Sequence, residues 1–364
     1  MDEKYYYLAF SELFEFIGPR RFSALLEAFG TAEAAWGGLD SKVLIRLGLD
    51  SERTSKCLAI KNSLDLETRA RYLSSSGAVM IANFEEGYPT RLRTISDPPY
   101  LLYARGNLAK RDELAIAVVG SRKATSYGRE VTQSLVWELA RAGLTIVSGL
   151  AYGIDTLAHR AALEAGGRTI AVLASGVDNV TPRVNESLAR EMVNSGRGVV
   201  LSEFPLGTSP QPFYFPIRNR LISGLSLGVL VIEAAERSGA LITAGCSLDQ
   251  GREVFAVPGS LFSLMSVGSH TLIKQGAKLV QTAQDVLEEL DLESKKEICQ
   301  AREILPESAE EGVILDALTG GELTADEIVR KSDMSSSVVN STLTLMLMKG
   351  MVRELGNSRY GRGI

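Results

Sequence analysis

Histidine and cysteine are scarce in this chain, with two and three copies among 364 residues. The cysteines (Cys57, Cys246, Cys299) are odd in number and far apart, which rules out a disulfide framework and offers no zinc spacing. His270 has no obvious nucleophile or metal-ligand pattern beside it and His159 lies inside a helical stretch, so histidine-centred catalysis has little to build on. No apolar run reaches the ~18 residues of a membrane helix. The opening "MDEKYYYLAF" lacks the basic start and cleavage site of a signal peptide. GxGxxG and GxxxxGK[ST] are both missing, and with them the usual dinucleotide and nucleoside-triphosphate fingerprints. These absences lead us to expect a cytoplasmic protein with no membrane insertion, no metal and no cofactor.

The formal net charge is −5, yet the acid is concentrated locally. Residues 281–311 hold 3 Lys+Arg against 10 Asp+Glu, whereas residues 115–280 hold 15 against 12. The acidic stretch reads as a helix end and solvated linker, and the central region is mildly basic without it.

Residues 1–75 read as helices punctuated by Gly18-Pro19 and Gly30-Thr31. "IGPRRFSALLEAFGTAEAAW" suggests a helix-hairpin-helix or sterile-alpha-motif-like module, with a small structural bundle as the plainer reading. Over 76–290, short β-branched runs such as "LAIAVVG", "LTIVSG" and "RTIAVLASG" alternate with helical stretches. That alternation predicts an α/β fold, with a doubly wound, Rossmann-like, mostly parallel sheet covered on both faces. After an acidic linker (291–309), residues 310–364 read as three helices and a hairpin turning near Gly356-Asn357, a winged-helix-like tail. Thr324 and Ser335 are its expected N-caps.

In a parallel sheet, ligands bind beyond the carboxyl ends of the strands. Glycines recur at those exits. Gly120, Ser121 and Arg122 form one turn, and Gly149 and Gly153 lie in the next. Such turns bring backbone N–H groups close to an anion. Asp155 reads as a helix cap, and His159 as a partly buried structural residue. Arg122, Arg183, Arg218 and Arg220 all fall at strand exits or entry loops, and Phe213, Tyr214 and Phe215 precede the last two. Arginines interleaved with aromatics suit single-stranded nucleic acid, since guanidiniums track phosphates while rings stack on bases. Phe215 is the preferred stacking ring. The run after Arg220 reads as a buried strand, placing both arginines at the rim of a core. Glu203 and Glu233 end apolar strands, and a structural pairing with Arg218 or Arg220 is expected for each.

Together these residues resemble the DNA-processing protein A family (DprA, also called Smf). The blocks "AVVGSRKATSYG", "IVSGLAYGIDTLAHRAAL", "TIAVLASGVDNVTPRVN", "LSEFPLGTSPQPFYFPIRNRLISGLS", "VLVIEAAERSGALITA" and "GREVFAVPGS" follow one another in the family's order. The resemblance implies an extended Rossmann-like fold and a non-enzymatic homodimer. It also implies binding of single-stranded DNA and loading of a RecA-type recombinase during natural transformation. Carried over by motif, the contacts would be Ser121 and Arg122 after Gly120, Arg183 in the loop ending at Asn185, and Phe215, Arg218, Asn219 and Arg220. Two departures stand out. No lysine occurs in "GTSPQPFY", where many members have one, and Thr181 stands where a tyrosine is common. The alternative is a Rossmann-like enzyme acting on a small nucleotide through Glu203 or Glu233.

Overall fold

The computed structural model describes residues 3–291, 308–318, 321–332, 334–348, 351–355 and 359–362. The chain divides into two compact units, 1–290 and 291–364. Residues 292–307, most of the expected acidic linker, lie outside the described residues, as does the expected turn at Gly356-Asn357.

The first unit opens with six helices: α1 (Glu3–Ser11), α2 (Pro19–Phe29), α3 (Ala32–Gly38), α4 (Ser41–Arg46), α5 (Ser51–Ser63) and α6 (Leu66–Ser76). The helical stretch from Ser51 to Ser76 is not continuous. It breaks at Asp65, whose carboxylate accepts from the N–H groups of Glu67 and Thr68 and starts α6.

The sheet that follows has nine strands: β1 (Val79–Ala82), β2 (Leu101–Arg105), β3 (Ala115–Val119), β4 (Thr145–Ser148), β5 (Thr169–Val172), β6 (Gly198–Ser202), β7 (Gly228–Val231), β8 (Glu253–Ala256) and β9 (Lys278–Leu279). Their order is β1-β2-β6-β5-β4-β3-β7-β8-β9. The pairings from β6 through β9 are parallel, while β1 and β2 pair antiparallel at one edge. All residues of β3 to β7 are buried, as parallel strands covered on both faces require. Alternate side chains feed separate cores. Ala171 and Val200 join the face packed by the N-terminal helices, Leu163 and Met192. Ile170, Val172 and Val199 join the face packed by Leu221, Ile222, Ala240 and Ala244. This is the doubly wound, Rossmann-like sheet that the alternation predicts.

The connecting helices are α7 (Ser126–Arg141), α8 (Ile154–Glu164), α9 (Glu186–Asn194), α10 (Tyr214–Gly224), α11 (Gly239–Asp249), α12 (Val267–Lys274) and α13 (Ala283–Glu289). The apolar run after Arg220 is therefore not one strand. Its first part, through Gly224, continues α10, and only Gly228–Val231 enters the sheet. Periodicity could not separate a buried helix turn from a buried strand over so short a run.

In the second unit, α14 (Ala309–Ala317), α15 (Ala325–Ser332) and α16 (Ser336–Met348) precede the hairpin of β11 (Val352–Glu354) and β12 (Arg359–Arg362). A short β10 (Leu323–Thr324), absent from the sequence reading, pairs with β12. Both expected caps form. The Thr324 hydroxyl accepts from Glu327 N–H, and the Ser335 hydroxyl accepts from Val338 N–H. No helix among the described residues is long and apolar enough to cross a membrane.

Candidate nucleic-acid interface

The strand order reverses direction at β3, whose parallel neighbours are β4 on one side and β7 on the other. At such a switch point the exits splay apart and leave a crevice. Here the crevice is a cavity of about 450 Å³. Gly120, Ser121 and Arg122 line one wall, Phe215, Arg218 and Asn219 a second, and Ser238 to Ala240 at the start of α11 a third. Six of the expected site residues are thus brought together.

Helix geometry sorts the two arginines of α10. Residues two apart stand about 200° apart around a helix, so Arg218 and Arg220 cannot share a face. Arg218 is buried, and its Nη1 donates to the carbonyls of Gly149 (2.9 Å) and Val172 while Nε donates to Asn219 Oδ1 (3.2 Å). Burial pushes its guanidinium down to about 10, with Arg122 adding to the shift and Asp155 opposing it. It stays charged at neutral pH. Gly149 makes room for it, because a Cβ there would lie 2.6–2.7 Å from the guanidinium atoms.

Arg220 turns the other way. Its Nη2 is bound to Glu203 and its Nε to Asp97 (3.1 Å). Burial drives the Glu203 carboxyl above its ordinary value, Arg220 pulls it back, and Asp97 adds to the rise. Arg220 is engaged with Glu203 and Asp97 on the face of α10 away from this cavity, and its Nη1 has no hydrogen-bond partner among the described residues. The structural pairing expected for Glu203 is the one observed.

Glu233 differs from its expectation, having no arginine partner. Its carboxylate accepts from Thr125 N–H (3.0 Å) and the Thr125 hydroxyl at the start of α7. Negative charge is favoured at a helix start, which suits a carboxylate here. The two glutamates are held by different groups in different places, and do not form a carboxylate pair. No group of residues that could hold a metal ion occurs among the described residues.

The loop from Gly149 to Gly153 is held under tension. Leu150 has φ +54, a left-handed value rare for a side-chain-bearing residue. Beside Arg218 on Gly149 O and the Thr156 hydroxyl on Ala151 O (2.6 Å), two further side chains fix this loop. Asp155 accepts from Gly149 N–H (3.1 Å) and Ala151 N–H (3.3 Å), while Asn185 Nδ2 donates to Leu150 O (2.8 Å) and Ala151 O (3.4 Å). Asp155 is therefore a loop clamp and not the cap of α8, a position taken by Gly153. Burial raises its carboxyl above the ordinary value, against Arg218 and the two amides. Asn185 is buried and committed to this loop, whereas Arg183 is exposed in the same turn. His159 is fully buried, with Nδ1 against Thr169 Oγ1 (2.6 Å). Burial, with Arg218 adding to it, pushes its imidazole down to about 3.

Arg122 is exposed, its guanidinium carbon 5.2 Å from the centroid of the Phe215 ring. The Arg218 guanidinium lies 5.9 Å from the same ring. Cations at this range are attracted to the aromatic face. Among the three aromatics, Tyr214 is buried in a cluster with Ala174 and Phe204, and Phe215 packs partly buried against that cluster. Phe213 is the exposed ring, a role the sequence reading had not given it. Lys123, exposed and lining the cavity, was also missed, although it directly follows Arg122.

A family model described as DNA recombination-mediator protein A matches residues 79–291, and a DprA winged helix domain matches 300–357. The chain belongs to the DprA/Smf family. A DNA processing protein DprA of Bacillus subtilis is 44% identical over 246 residues, 65% of this chain and 80% of that protein. Protein Smf of Escherichia coli is 43% identical over 252 residues, 69% of this chain and 67% of its own length. The X-ray structure of Streptococcus pneumoniae DprA superposes with a TM-score of 0.66 at 36% identity, covering 78% of this chain and 97% of that one. A DNA processing protein A from Helicobacter pylori, described for its single-stranded DNA binding mode, gives 0.53 at 29% identity, over 59% of this chain and 96% of its own. This DprA-family chain is thus a recombination-mediator relative with a winged helix.

Proposed function

We propose that this chain binds single-stranded DNA across the carboxyl edge of its sheet and loads a RecA-type recombinase onto it in natural transformation and recombination. The observation that carries the reading is the cavity at the switch point, where exposed Arg122 stands over the Phe215 ring and glycine turns open the backbone to phosphate. The single-stranded DNA binding described for the Helicobacter pylori relative supports it. Gly120, Ser121, Arg122, Phe215 and Asn219 would contact the strand, with Arg218 giving positive charge from behind and Arg183 lying at the next exit. Gly149 would act by seating Arg218. The protein would work in the cytoplasm as a homodimer. Leu261, Phe262 and Leu264, 85%, 98% and 76% exposed in the loop after β8, are apolar side chains suited to a second copy.

Titration of a labelled oligonucleotide, single- and double-stranded, at two salt concentrations tests the binding. We expect preference for the single strand and affinity that falls steeply with salt. Equal binding of Arg122→Ala and the parent, or displacement of the oligonucleotide by a mononucleotide at equal concentration, would remove the reading. Faster assembly of recombinase filaments on protein-bound single strands tests the loading step, and light scattering tests the dimer.

A further inference from the structure

Tyr152 is 54% exposed in the strained loop between β4 and α8, and it has no hydrogen-bond or ring partner among the described residues. Its neighbours on both sides are fixed. A Cβ on Gly153 would lie 2.2 Å from the Ser121 carbonyl oxygen and 2.7 Å from that of Arg122, so this loop rests directly on the Ser121-Arg122 turn. Asn185 holds Ala151 from the other side, and Arg183 is exposed two residues before it. The loop that carries Tyr152 thus touches the turn of exposed Arg122 on one side and, through Asn185, the turn of exposed Arg183 on the other. A buried tyrosine would satisfy its hydroxyl within the protein. An exposed one on a clamped, strained loop between cations has the form of a stacking platform.

We propose that Tyr152 stacks on a base of the bound strand, and that the strand leaves the cavity past Arg122 toward Arg183, over the exits of β4 and β5. This rests on the single-stranded DNA reading and gives it a direction and a second aromatic contact. Every base has a π-face, so the contact would be indifferent to sequence.

The test uses the full chain with oligothymidylates of about six and about twenty nucleotides, comparing the parent with Tyr152→Ala, Tyr152→Phe and Arg122→Ala. Removing one stack should cost roughly five- to hundredfold in affinity for the longer oligonucleotide. The shorter one also outgrows a cavity of about 450 Å³ and should lose a similar factor. Tyr152→Phe should bind as the parent does. The salt dependence should keep its slope in Tyr152→Ala and become shallower by about one unit in Arg122→Ala. Parent-like binding of Tyr152→Ala to the longer oligonucleotide, while Arg122→Ala binds weakly, would overturn this inference and leave the DNA reading standing. Failure of Tyr152→Phe to bind would also overturn it, since the hydroxyl would then be what matters. If the parent does not bind single strands, both fall together.

Discussion

Arg218 and Arg220 stand two residues apart on one helix and are held by opposite chemistry. Arg218 is surrounded by neutral carbonyls, with its nearest carboxylate already committed to two amides, so its charge is only partly compensated. Arg220 meets two carboxylates and is neutralised within the fold. The lesson is that an arginine motif is not one functional unit. The face of the helix decides which guanidinium lines the cavity and which pairs with carboxylates.

The strongest way to break this contrast is Arg220→Ala. It leaves Glu203 buried without its cation, and we expect a loss of about 3–5 kcal/mol in urea unfolding. The double variant Arg220→Met/Glu203→Leu should regain most of it. If Arg220→Ala is as stable as the parent but fails to bind DNA, the assignment of Arg220 to the core is wrong.

Gly153→Ala should follow in size. Its φ of +75 and the 2.2 Å approach to the Ser121 carbonyl leave no relaxed position for a Cβ. We expect a loss of about 1–3 kcal/mol by thermal unfolding, with weakened DNA binding as the two turns separate.

His159 sharpens the contrast through pH. The folded state keeps it neutral down to about 3, while the unfolded chain protonates it near 6.5. The unfolded state therefore binds more protons across that window, and its contribution to stability is lost as pH falls from 6.5 toward 3. At pH 5 the loss from this residue should be about 2 kcal/mol relative to neutral pH. Glu203 and Asp155, whose carboxyls are raised by burial, act in the opposite sense as pH rises through their range. The difference between parent and His159→Asn, measured by urea unfolding at pH 5 and pH 7, isolates the imidazole. An identical pH dependence in both proteins would contradict its burial.

The smallest expected effect is Gly149→Ala, in which a methyl group pushes the Arg218 guanidinium from its seat. We expect about a tenfold loss of oligonucleotide affinity with under about 1.5 kcal/mol change in stability, by fluorescence anisotropy and thermal unfolding.

Much of this arrangement was legible beforehand. Continuous β-branched runs announced the parallel sheet, and glycines at successive exits announced the edge where a ligand would sit. Which of the two arginines Glu203 would hold was not legible, because Asp97 is distant in sequence and the helical start at Tyr214 was hidden in an apolar run. Asn185 and Asp155 looked like contact and cap residues, yet both hold Leu150 and its neighbours in place, a role that depends on backbone geometry and leaves no mark in composition. Phe213 and Phe215 are interchangeable by residue type. The packing of Phe215 against the Ala174, Phe204 and Tyr214 cluster, under Arg122 and Arg218, separates it from exposed Phe213.

Glu233 has a consequence for what the crevice can accept. Dinucleotide-binding sheets leave the first helix start after the central strand open, and the pyrophosphate docks on its bare amides. In this chain that berth is filled from within by a carboxylate anchored at the end of a neighbouring strand. A free nucleotide arriving there would meet like charge, whereas the arginine turn alongside keeps its cation exposed.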